Sequence, residues 1–247
     1  MAISEKDRLA EVLLRHPQLI PPLMRLGIRP GVGDLTVSSA CVGLQVHSDL
    51  LMQLLNVLAD DTYLPDNALA KFDMLPLIDY LKNVHVDLLN CLQLCGRHIR
   101  ILISSAGDSG RLMEPVNSFF EEYSSEVSSL IEEEESKLIP FLSHLYELYF
   151  SPGYSPVDVG KISESLSLFG SRYDEVEKKM TDLMNLFVRH LQGDYDRHAF
   201  YGIIQFLQGL AFDIQGLRSV EMKLLKPLAN EMAQEVRQRA RKMAVQP

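Results

Sequence analysis

The sequence is short of cysteine, of positive charge and of long apolar runs, and each shortage removes a class of protein. Three cysteines in 247 residues, Cys41, Cys91 and Cys95, are an odd and sparse set for a disulfide framework. Cys91 and Cys95 stand one helical turn apart, a spacing that would suit a metal only with further soft ligands, and none lies nearby in the sequence. They are expected to be buried reduced thiols, since free cysteine behaves as a small hydrophobe, with a redox role as the alternative. Lys and Arg number 24 against 33 Asp and Glu, a formal charge of -9 and a pI near 5.3. A surface for nucleic acid or anionic lipid concentrates cations on one face, and the short basic tail RQRARKMAVQP does not supply one, so neither partner is expected. No stretch approaches the roughly 20 apolar residues of a membrane span. The N-terminal MAISEKDRLAEVLL lacks a cationic segment followed by an apolar one, so a cytoplasmic location is expected. Strand-like alternation is nearly absent. No phosphate-cradling GxxxxGK[ST], no GxGxxG opening a helix and no nucleophile elbow occurs, and GVG at 31–33 reads as a turn.

What is present is a hydrophobic content of 47%, enough for a real core, arranged with helical periodicity. Residues 1–66 read as a small domain of short helices, broken at Pro30, Gly31 and Gly33, with Thr36 and Ser48 as expected N-caps. This module has a superficial likeness to a helix-turn-helix, but its acidic residues outnumber its basic ones. DTYLPDNA then reads as a linker. Residues 73–243 hold four long helical patterns. The first starts near Asp73, with Pro76 in its first turn, and runs to the SSAGDSG break. The second runs from Glu114 and Pro115 through Glu134 toward Phe150. After the loop SPGYSPVDVG a third covers about 158–190, and beyond an interruption at QGD, 192–194, a fourth covers about 196–243. The expected fold is all-α, an up-down four-helix bundle preceded by a small helical domain.

Each long helix carries one polar residue on its apolar stripe. His85 sits between Leu81 and Leu88. Glu134 sits between Ile131 and Leu138, while Glu132, Glu133 and Glu135 fall to the side or outward. Tyr173 interrupts Leu166, Phe169, Val176, Met180, Leu183 and Phe187, and Glu221 interrupts Ile214, Leu217, Leu224 and Leu228. A carboxylate on a buried stripe asks for a metal, a cation or a hydrogen-bond donor, and facing side chains in a bundle interior are where such folds build metal sites. There is also an internal echo: Leu130, Glu134, Leu138 and Pro140 match Leu217, Glu221, Leu225 and Pro227 as LxxxExxxLxP, which suggests two related helix pairs.

With these residues in view, 73–230 resembles a hemerythrin-like domain of the repair-of-iron-centres family, bacterial di-iron proteins associated with mending iron-sulfur clusters after nitrosative or oxidative stress. The resemblance is carried by the two ExxxLxP motifs and by YLKNVH in the first helix. Residues 12–58 resemble the small domain that often precedes it, in HPQLIPPLMRLGI, LTVSSAC and LLMQLLNVL. The resemblance implies iron ligands at HxxxE motifs, whose glutamates are matched by Glu134 and Glu221, and at further histidines, the first of which is matched by His85. Other ligand positions are substituted: Leu130 and Leu217 stand where histidines are called for four residues before each glutamate, Ala106 aligns with a second histidine, and Tyr173 with that of the third helix. In the N-terminal domain the paired cysteines after GI correspond to Gly31 and Val32, and Cys41 alone matches.

Three surviving ligands cannot complete two iron ions. Three states follow: a metal-free core in which Glu134 and Glu221 accept hydrogen bonds from His85 or the Tyr173 hydroxyl, one ion held by His85, Glu134 and Glu221, or a di-iron site recruiting other residues. The first is preferred, because leucine at two ligand positions fills the cavity with apolar volume. It implies a module without cofactor or catalytic residues that binds a protein partner or senses a signal, with Phe119, Phe120, Tyr146 and Tyr149 as the expected outward surface for a homodimer. The alternative is an iron-binding protein still acting in cluster repair. His16, His47, His98, His144, His190 and His198 are expected to be surface or satisfied histidines.

Overall fold

The computed structural model describes residues 2–42, 44, 46–65, 73–106, 114–150, 166–170, 172–190 and 195–245. The SPGYSPVDVG loop, the QGD interruption and most of the SSAGDSG break lie outside these residues. The fold is all-α. Helices α1 (Leu9–Arg15), α2 (Ile20–Arg25) and α3 (Ser48–Ala59) are followed by α4 (Leu75–Ser105), α5 (Glu114–Glu133), α6 (Ile139–Phe150), α7 (Tyr173–His190), α8 (Arg197–Val220) and α9 (Lys226–Val245). Among the described residues there is no strand, only an isolated bridge between Arg8 and Thr36. No helix among them is long and apolar enough to cross a membrane.

Two π-helical turns interrupt the helical run, Glu134–Leu138 between α5 and α6 and Glu221–Leu225 between α8 and α9. They coincide with the two copies of LxxxExxxLxP. Proline has no N–H to close an α-helical bond, and its ring clashes with the carbonyl four residues earlier. Widening the preceding turn accommodates both defects. In the second copy the Lys226 N–H donates to the Glu221 carbonyl, five residues back. Each motif glutamate is the first residue of its π turn.

Several boundaries differ from those expected. Within the described residues the third long helix begins at Tyr173, and the part of it expected over 158–165 lies outside them. Residues 166–168 form a 3-10 turn, and Gly170 follows at φ +75, a left-handed conformation that stops a right-handed helix. The N-cap of α3 is His47, whose Nδ1 accepts from the Asp49 N–H at 3.4 Å. Ser48 is instead the first helical residue and donates its hydroxyl to Glu5. Thr36 Oγ1 accepts from the Ser39 N–H, at the start of a 3-10 turn over Ser39–Cys41. Helix α8 is capped by Asp196, whose Oδ1 accepts from the N–H groups of His198 and Ala199 at 2.8 and 3.0 Å. Those two donors hold the Asp196 carboxyl below the usual range.

The chain divides into two compact units. Unit 1 comprises residues 1–83, 135–171 and 216–247. In it the N-terminus is tied to α3 by Asn56, which accepts from the Ile3 N–H at 2.7 Å and donates to the Ile3 carbonyl at 2.8 Å. Helices α6 and α9 pack together, and the Arg239 guanidinium donates to the Tyr149 carbonyl while lying 5.0 Å over that residue's ring. Unit 2 comprises residues 84–134 and 172–215. Its four helical segments touch in ring order. Phe120 of α5 lies against Gly96 of α4; α5 packs on α7, where Glu126 pairs with Arg172 and Lys179; Phe187 of α7 meets Phe200 of α8; and Phe206 of α8 meets His98 of α4.

The contact registers in unit 2 give the helix directions. Along α4, residues 85 and 96 meet 134, in the π turn after α5, and 120 of α5, and residues 98 and 105 meet 206 and 196 of the segment entering α8. Rising numbers on one helix meet falling numbers on the other, so these pairs are antiparallel. The interior is filled by Leu88 and Leu92, Val127 and Leu130, Val176 and Leu183, and Leu207 and Leu210, all buried. Each such side chain contributes on the order of 1.5–3 kcal/mol. Phe120, expected to point outward, is part of this core at 4% exposure, and Phe119, Tyr146 and Tyr149 are only half-buried.

Candidate functional site

The apolar stripes decide which polar residues are taken inward. His85, Glu134, Tyr173 and Glu221 are exposed by 2, 5, 1 and 1% respectively. Glu132 and Glu135, on the far side of the same turn, are exposed. The run of four glutamates therefore places a single carboxylate in the core, at the one position the helical period turns inward.

Three of these four meet in unit 2. His85 Nε2 is hydrogen-bonded to Glu134 Oε2 at 2.8 Å, and the Tyr173 hydroxyl donates to Glu134 Oε1 at 2.7 Å. Helix α4 supplies the imidazole, the start of the π turn after α5 supplies the carboxylate, and the first residue of α7 supplies the phenol. Both carboxylate oxygens are thus engaged by side-chain donors from two other helices. Such a cluster meets the requirement that a buried charge or dipole be fully hydrogen-bonded. Glu221 belongs to unit 1, where it opens the second π turn.

The positions where the family pattern calls for histidine are occupied by buried apolar side chains: Leu130 at 2%, Leu217 at 1% and Ala106 at 8% exposure. A di-iron centre needs several nitrogen and oxygen donors per metal with carboxylates bridging the ions. The donors present do not fit that requirement. Leu130 fills the turn before Glu134, and both oxygens of Glu134 are turned to protein donors. Among the described residues no group of three or more His, Cys, Asp and Glu side chains could hold a metal ion.

No family model, curated protein or solved structure matches the chain.

Other polar groups in unit 2 escape the stripe argument. The Tyr123 hydroxyl is fully buried on α5 and has no hydrogen-bond partner among the described residues; burial first, then Cys95 and Cys91 nearby, hold its titration far above the ordinary range. His98 Nδ1 is likewise buried without a partner among the described residues, its ring lying against Phe206 and Gly202. Cys95 is buried, whereas Cys41 and Cys91 are only half-buried, and all three are free thiols. The Cys91 thiol donates to the Phe206 carbonyl. Tyr123 was legible only as an aromatic residue on an inward face, since nothing in its sequence neighbourhood says whether its hydroxyl meets a partner.

Proposed function

We propose that the chain is a degenerate hemerythrin-like protein: a small N-terminal module over residues 1–66, then a four-helix bundle over 73–243 in which the di-iron ligand set has given way to a metal-free polar cluster. It works as a non-catalytic module that binds a protein partner or senses a signal, descended from cytoplasmic di-iron proteins of cluster repair. The observation that carries this reading is Glu134, whose two oxygens are taken by His85 and Tyr173 while Leu130 fills the preceding turn. The antiparallel ring of helical segments in unit 2 is the arrangement such a bundle would have.

The test is the metal content of protein purified from iron-replete cells, with His85→Ala and Glu134→Ala beside it. The expected result is iron far below stoichiometric, the same in all three proteins, with thermal stability unchanged by added iron. About two irons per chain, with the visible absorption of an oxo-bridged pair, would overturn it in favour of iron-dependent repair. So would about one iron per chain that both substitutions abolish, since that demands a ligand set built on His85 and Glu134.

A further inference from the structure

A groove of about 470 Å³ lies between α4 and α5 within unit 2. Its α4 wall includes Gln93, Gly96, Arg97 and Arg100, and its α5 wall includes Phe120 and Ser124. It shares no residue with the His85, Glu134 and Tyr173 cluster. Gly96 stands inside a helix of 31 residues, where glycine is unfavourable relative to alanine. A Cβ at that position would stand 3.1 Å from Phe120 Cε1 and 3.7 Å from Arg100 Nη1. The missing side chain lets the Phe120 ring close the floor, and the Arg100 guanidinium lies over the same turn.

The charges are what make the groove specific. Arg97 and Arg100 are exposed, three residues apart on one helix face, and neither forms an ion pair or hydrogen bond with another described residue. The carboxylate in the lining, Glu121, is already engaged, accepting from Asn117 Nδ2 at 2.8 Å. So a chain of net charge -9 presents two unpaired guanidiniums against one lining carboxylate, with the amides of Gln93 and Asn117 and the hydroxyls of Ser124 and Ser128 beside them, over an aromatic floor. Guanidinium groups are fork-shaped donors matched to carboxylate and phosphate oxygens. The volume falls in the range of small-molecule pockets, about 300–1,000 Å³.

The structure assigns to this groove a small organic anion, a carboxylate or phosphate monoester carrying a compact apolar body, with Arg97 and Arg100 on the oxyanion and Phe120 beneath the apolar part. The site goes beyond the proposed function and does not depend on whether the bundle holds metal.

Calorimetric titration of the full chain with phenyl phosphate, benzoate and inorganic phosphate tests it. Saturable binding of one molecule per chain is expected for phenyl phosphate or benzoate, and which of the two binds identifies the oxyanion; inorganic phosphate, lacking the apolar body, binds more weakly. Arg97→Gln with Arg100→Gln should weaken binding at least about tenfold, since two charge-assisted contacts are lost. Lys178→Gln, an exposed cation elsewhere in unit 2, should leave it unchanged. Gly96→Ala should weaken it with every charge kept. Failure of all three probes to saturate, survival of binding in the double arginine variant, or an equal loss in Lys178→Gln would each overturn the assignment.

Discussion

His85 Nε2 and Glu134 Oε2 lie 2.8 Å apart with both side chains closed off from water, joining α4 to the π turn that follows α5. A buried polar pair of this kind owes its tolerance to completeness, because removing one member leaves the other desolvated and unpaired.

Glu134→Ala, which removes the acceptor that His85 and the Tyr173 hydroxyl share, is therefore expected to lower unfolding free energy by about 3–5 kcal/mol. The triple replacement His85→Leu, Glu134→Met, Tyr173→Phe removes all three side chains joined by these two bonds and should be less destabilising than Glu134→Ala. Urea unfolding of the two variants checks this. A triple variant less stable than Glu134→Ala would show that the cluster contributes net stability.

Two buried tyrosines of unit 2 give opposite expectations for the same change. Tyr173→Phe removes a donor from Glu134 and should cost about 1–3 kcal/mol. Tyr123→Phe removes a hydroxyl with no partner among the described residues and should be neutral or stabilising by about 1 kcal/mol. Denaturant midpoints of the two single variants, measured side by side, decide it.

Gly202 is where α8 approaches the His98 ring. A Cβ there would stand 2.8 Å from His98 Nδ1 and 2.9 Å from Cε1. Gly202→Ala should lower stability by about 1–2 kcal/mol despite alanine's better helix propensity, because the overlap outweighs it. In a His98→Ala background the overlap is gone, and the same substitution should raise stability by about 1 kcal/mol. A sign that does not reverse in thermal unfolding would rule out this contact.

Burial, with Cys91 alongside, pushes the Cys95 thiol up to about 12 from an ordinary value of 9.0. Below pH 9 both folded and unfolded states hold the proton and stability is independent of this group. Above it the unfolded chain loses the proton while the folded chain keeps it, so stability falls as pH rises through about 12. Cys95→Ala should flatten that alkaline slope. In native protein at pH 8, iodoacetamide followed by mass spectrometry should modify the half-buried Cys41 and Cys91 before Cys95, with Cys95 reacting only on unfolding.

The helices and their inward faces were legible in the sequence because helical periodicity is local. Once Ile131 and Leu138 face the core, Glu134 between them must follow, and the same holds for His85, Tyr173 and Glu221. The LxxxExxxLxP echo was also visible, together with the prolines that make a regular α turn costly at each copy. Where the third helix begins was not, because its start depends on Gly170 taking a left-handed conformation beside Met222 of α9's preceding turn, a long-range contact. Phe119 and Phe120 are adjacent aromatics, and only Gly96 on another helix shows which of them turns inward.

By itself, then, the sequence determined an all-α chain, the inward placement of four polar side chains and the apolar character of Leu130, Leu217 and Ala106, all of them consequences of residue type and a 3.6-residue repeat. Tertiary structure alone decided that His85 and Tyr173 converge on the two oxygens of Glu134, that Tyr123 finds no partner among the described residues, and that Arg97 and Arg100 line an open groove. Those outcomes rest on distances between helices far apart in the chain, which are set by how side chains of different helices interdigitate and not by the spacing of residues along any one of them.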